Sequence, residues 1–143
     1  PGMPSYVVPC SAAKLDRAAP ARELYASAHF AHVLAAAEAA AAFDGSQVFI
    51  LSALHGLVRP DEVLAPYDVR IGDAEAITAE TLASSPRLMG LVLDDEPVYS
   101  LLPSDYERVL DRALRTYGCW TEPVFEACRG IGEHRAVASS LRR

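Results

Sequence analysis

Tyr6-Val7-Val8-Pro9-Cys10-Ser11-Ala12-Ala13-Lys14 opens apolar and β-branched and ends in a small-residue loop carrying a thiol, a hydroxyl and an amine. Ser5 to Val8 fits a short buried strand that stops at Pro9. A second continuous apolar run, Gln47-Val48-Phe49-Ile50-Leu51-Ser52, follows a long alanine-rich segment, residues 21–43, with helical spacing. Strand, helix and strand at this separation make a βαβ unit, so the two strands are expected to be parallel, with a right-handed crossover. The loops after Pro9 and after Ser52 then open on the same edge of the sheet, the edge where open α/β sheets bind ligands.

The rest of the chain extends this pattern. Pro20 suits a helix start, Leu24, Phe30, Val33 and Leu34 suit a core face, and Asp44-Gly45-Ser46 closes the helix. Residues 53–68 carry Gly, Pro and Asp punctuation and read as one long shaped loop. Residues 74–93 read as one helix or two, interrupted at Ser84-Ser85-Pro86. Val98-Tyr99-Ser100-Leu101-Leu102 is a predicted third strand. A helix follows from Pro103-Ser104, with Tyr106, Val109, Leu110, Ala113 and Leu114 on its apolar side and Arg108, Arg112 and Arg115 on a charged face with Asp105, Glu107 and Asp111. Residues 121–125 are a predicted short fourth strand, and a last helix is expected from Gly130 to Leu141. The expected fold class is therefore α/β, with a mainly parallel central sheet of about four strands in one domain spanning residues 3–143. Pro1-Gly2 ahead of Met3 reads as a tag remnant.

Composition narrows the function classes. The chain has 143 residues, 51% hydrophobic and 22% charged, which is globular composition. A net charge of −6 disfavours tight sequence-independent binding to a polyanion, while leaving room for a local basic pocket. No apolar run approaches the roughly 20 residues of a membrane helix, and no export signal opens the chain. Three cysteines without a framework spacing fit a reducing, cytoplasmic setting, with Cys119 and Cys128 as packed thiols. His29 and His32 stand three apart on one helix, but no third ligand has a matching spacing, so neither metal nor cofactor is expected. Walker, dinucleotide, HExxH and GxSxG motifs are absent from the sequence.

Chemistry concentrates in the two strand-end loops. Lys14 is the only lysine beside twelve arginines. An ammonium can lose its proton or bind a phosphate as a point charge, whereas a guanidinium stays charged. Cys10 is read either as a nucleophile or as an inert packed thiol. Ser11 either orients a substrate group or caps the loop. Ser52, His55, Gly56, Arg59 and Asp61 come from the second loop, with Tyr67 and Asp68 beyond it. His55 suits proton transfer, and Tyr67 with Asp68 suits stacking on and binding a base, or pinning the loop. Tyr25 stands where it can face the same crevice. The candidate catalytic residues are thus Lys14, Cys10, His55 and Asp68. The candidate substrate-binding residues are Ser11, Tyr25, Ser52, Gly56, Arg59, Asp61 and Tyr67.

These residues carry a resemblance. Val8-Pro9-Cys10-Ser11-Ala12-Ala13-Lys14-Leu15-Asp16, then Leu24-Tyr25, Ile50-Leu51-Ser52-Ala53, Gly56-Leu57, Pro60-Asp61, Pro66-Tyr67-Asp68 and Gly130-Ile131-Gly132-Glu133, resemble a family of small bacterial and phage proteins. That family is loosely grouped with the YaaA-like peroxide-stress proteins, which protect DNA from oxidative damage. Pro9-Cys10-Ser11, Lys14 and the run from Ser52 through Gly56 to Pro60 also resemble, more distantly, the core domain of archaeosine synthase. Leu15-Asp16 departs from that domain's Pro-Tyr, and Leu54 stands where the small-protein family often has lysine. The archaeosine resemblance implies a three-layer sandwich similar to uracil-DNA glycosylases and chemistry on a nucleobase, nucleotide or nucleic acid: base modification or N-glycosidic bond chemistry. The peroxide-stress resemblance implies instead a non-catalytic DNA-binding protein. A small interaction module is the third expectation.

Overall fold

A computed structural model describes residues 2–124 of the chain. Strand β1, Ser5–Pro9, is buried along its whole length. It lies between two parallel neighbours, and this position at the centre of the sheet explains its unbroken apolar run. On one side is Gln47–Ser52, in register from Ser5 opposite Gln47 to Pro9 opposite Leu51. On the other is Val98–Ser100, with Val7 opposite Ser100.

Two further strands complete a five-stranded sheet. Numbered in chain order, the elements are β1, β2 (Ala19–Pro20), β3 (Gln47–Ser52), β4 (Gly56–Val58), β5 (Val63–Leu64), β6 (Val98–Ser100) and β7 (Glu122–Pro123). The sheet order is β4-β3-β1-β6-β7, parallel except for β4, which returns antiparallel to β3; β2 and β5 pair separately.

Helices flank the sheet on both faces because β1 and β3 alternate. Tyr6, Val8 and Ile50 pack against Phe30, Val33, Leu34 and Ala37 of helix α2, Ala28–Asp44. Val7, Phe49 and Leu51 pack against Leu82 of α3 (Ala79–Ala83), Leu88 and Leu91 of α4 (Pro86–Asp94), and Leu110 and Leu114 of α5 (Ser104–Arg115). Each fully buried large side chain contributes roughly 1.5–3 kcal/mol. The alanines of α2 that face the sheet, Ala36 and Ala37 among them, are fully buried. No helix of the described residues is long and apolar enough to cross a membrane.

Three expectations change. The helix over residues 21–43 is broken: α1 covers Ala21–Leu24, Tyr25 is extended, and Ser27 caps α2 by accepting from the Phe30 amide. Alanine favours helix so uniformly that it hides the break, which is stabilised by tertiary pairing of Tyr25 with Lys14. The stretch 53–68 is not one loop, since it contains β4 and β5. The turn at residues 53–55 reverses the chain, with Gly56 opposite Ser52. The described sheet has five strands where about four were expected, because β4 is too short to register as a separate apolar run. The interruption at Ser84-Ser85-Pro86 does divide two helices, with Ser85 capping α4 and Pro86 in its first turn. Phe125, Cys128, the Gly130–Glu133 run and the final helix lie outside the described residues.

Candidate functional site

The C-terminal ends of β1, β3 and β6 lie on one edge, because the three strands are parallel. From β1 the chain emerges into Cys10 to Lys14. Ser11 ties that loop by donating to the Ala13 carbonyl at 2.6 Å. Lys14 then faces Tyr25 in an isolated antiparallel bridge. The flanking bonds, Leu15 N–H to Leu24 O at 2.9 Å and Ala26 N–H to Ala13 O at 2.8 Å, leave Lys14 and Tyr25 as the non-hydrogen-bonded pair. In that geometry opposing side chains stand closest. The break in the helix thus has a local cause and a consequence: it aligns a phenol beside the only lysine.

Tyr67 arrives from beyond β5 and completes the cluster. The Lys14 Nζ sits 4.3 Å from the centroid of its ring and 5.8 Å from that of Tyr25. The Tyr67 hydroxyl lies 2.6 Å from Ser52 Oγ and 2.5 Å from the Tyr25 hydroxyl. Ser52 ends β3 fully buried, and its Oγ accepts from the amides of Leu54 at 3.2 Å and His55 at 2.9 Å. The exposed His55 ring stands edge-on to Tyr67, centroids 5.4 Å apart.

Cys10 joins the same edge through a partner that sequence reasoning put in the core. Its Sγ lies 3.4 Å from the hydroxyl of Tyr106, in the first turn of α5. The signal was present: α5 starts directly after a strand predicted to run parallel to β1, so its first turn had to lie at the ligand edge.

Burial dominates the electrostatics. It pushes the Tyr25 hydroxyl above its ordinary pKa, although hydrogen bonds from Ser52 and Tyr67 pull the other way. Tyr67 and Tyr106 are raised further, first by burial and then by the neighbouring Cys10. All three phenols are therefore protonated at neutral pH and act as hydrogen-bond donors.

The remaining candidates are dispersed. Gly56 is buried with φ +76°, a backbone position in the turn. Asp68 is exposed and makes no hydrogen bond to another described residue. Arg59 and Asp61 are carried away from the edge by β4, because an antiparallel strand retraces β3. The Arg59 guanidinium lies 4.9 Å from the centre of the Phe49 ring. With Arg22, Glu38 and Val48, Arg59 and Asp61 line a separate depression of about 300 Å³.

Residues 6–135 match the model of a family of unknown function, DUF6884. No curated protein matches the chain.

Proposed function

The chain belongs to this family of unknown function, and we propose that it is an enzyme acting on a nucleobase or nucleotide, free or within nucleic acid, by base modification or N-glycosidic bond chemistry. The observation that carries this reading is the convergence of Lys14, Ser52 and Tyr67 from three chain segments at the ligand edge of the sheet. The resemblance of the Pro9-Cys10-Ser11 loop, Lys14 and the Ser52-to-Pro60 run to the archaeosine synthase core supports the same class, and a mainly parallel α/β sheet is compatible with it.

The cluster suits acid/base and nucleophilic work. Lys14 supplies positive charge, Cys10 a thiol, His55 an exposed imidazole and the tyrosines protonated hydroxyls. If an oxocarbenium-like sugar develops, Asp68, which follows Tyr67 in the chain, is the candidate carboxylate, since Asp61 lines a separate depression. The alternative of a non-catalytic DNA-binding protein has less support, because a net charge of −6 opposes polyanion binding.

The test is a mass-spectrometric screen of nucleosides, nucleotides, DNA and RNA with wild type and Lys14→Ala. A product made by wild type and lost in the variant supports the enzyme reading. No product from any of the four pools, under conditions where the folded protein persists, overturns it.

A further inference from the structure

Donors and acceptors at the site do not balance. A serine hydroxyl has one proton and two acceptor positions. Ser52 Oγ fills both acceptor positions with the Leu54 and His55 amides, so its proton goes to Tyr67. In the bond between Tyr67 and Tyr25 either hydroxyl can donate, so one of these two phenols keeps a proton that the pair does not use. No hydrogen bond to another described residue takes up that proton, and Tyr25 is only 2% exposed. A buried donor left in this state is costly, because it has given up its bond to water.

Lys14, directly opposite Tyr25, is similarly unspent. Its ammonium has three donors and uses one on the Ala12 carbonyl, at 3.3 Å. Among the described residues no carboxylate lies within ion-pairing distance of it, although acidic residues outnumber basic ones 19 to 13. The ammonium instead lies over the ring of Tyr67, 4.3 Å from its centroid. Two adjacent donor groups with unused protons, one cationic and one in a buried phenol pair, call for an anionic oxygen cluster.

We propose that Lys14 and Tyr25 form a subsite for a phosphate group, so that the ligand is a nucleoside monophosphate or a phosphate-bearing equivalent and not a free base or nucleoside. This rests on the nucleotide-directed reading above and narrows it. A phosphate offers several acceptor oxygens to the ammonium and the phenol together, and charge-assisted bonds to it exceed neutral ones in strength.

Calorimetric titration of the whole chain with inorganic phosphate, the four common ribonucleoside 5′-monophosphates and their nucleosides tests it. The expected result is that at least one monophosphate binds about tenfold or more tightly than its nucleoside. Lys14→Met should remove that advantage, bringing monophosphate affinity down to that of the nucleoside. Tyr25→Phe, checked for native circular dichroism, should reduce the advantage severalfold; if it does not fold, Lys14→Met alone decides. Equal binding of nucleoside and monophosphate, an advantage unaffected by Lys14→Met, or no binding of any phosphate-bearing probe overturns the subsite. Should inorganic phosphate and all four monophosphates bind equally, and only through Lys14, the subsite stands and the nucleobase reading falls.

Discussion

The hydroxyls of Tyr25 and Tyr67 meet at 2.5 Å across 42 residues of chain, and Ser52 holds Tyr67 in place from the end of β3. Three segments are thus tied by two hydrogen bonds in a region of low solvent access, where such bonds reinforce one another. Tyr67→Phe leaves the hydroxyls of both Ser52 and Tyr25 without their shared partner, and should cost about 1–3 kcal/mol in urea denaturation. Ser52→Ala should cost a similar amount. The double variant should fall short of the sum by at least about 0.5 kcal/mol; additive losses would show that the chain of hydroxyls is not a unit.

Gly56 offers a sharp distinction between a structural and a ligand-contacting role. Its φ of +76° lies in the left-handed region, and an added Cβ would stand 3.3 Å from Leu82 Cδ1. Gly56→Ala is expected to destabilise by about 1–2 kcal/mol from the backbone conformation alone, seen as a lowered denaturation midpoint. A stability unchanged from wild type, with activity or binding lost, would assign the glycine to the ligand instead.

At the opposite end of β1 the Tyr6 hydroxyl donates to Asp44 at 2.9 Å. Burial, then this hydrogen bond and the Asp44 charge, raise Tyr6 from 10.0 to about 12. A group whose folded pKa lies above its unfolded value stabilises fully below the unfolded pKa and ceases to do so as pH rises through the folded one. Wild type should therefore lose on the order of 2 kcal/mol relative to Tyr6→Phe between pH 10 and pH 12. Parallel stability curves for the two proteins across that interval would refute the coupling.

Ser27 starts α2 two residues after Tyr25, and its side chain accepts from the Phe30 amide at 3.0 Å. Ser27→Ala should cost about 1 kcal/mol, and it should increase hydrogen exchange at the Leu15 and Ala26 amides, which bracket the Lys14–Tyr25 pair. An effect confined to the first turn of α2 would mean that the break and the bridge form independently.

Much of the frame was readable because it rests on local patterns. Residues 6–9 and 48–51 form continuous apolar runs, as strands covered on both faces require. Gly45, with φ 78°, closes α2 where a glycine was expected. Leu24, Phe30, Val33 and Leu34 are all buried, following helical periodicity through a break that periodicity did not detect. What was not readable depends on pairing at a distance. Neither the bridge of Lys14 with Tyr25 nor the return of β4 beside β3 has a local signature.

The sequence by itself determined the parallel centre of the sheet and the edge to which the candidate residues of its strand-end loops belong, because continuous apolar runs joined by a helical crossover fix both strand burial and strand direction. Only the tertiary structure decided the membership of the cluster. Tyr106 was drawn to Cys10 because parallel strands bring the start of α5 to that edge, and Arg59 and Asp61 were carried off because an antiparallel strand reverses the chain. It also decided the state of Lys14: an ammonium lying over aromatic rings, with no carboxylate beside it among the described residues, results from long-range packing that no spacing along the chain encodes.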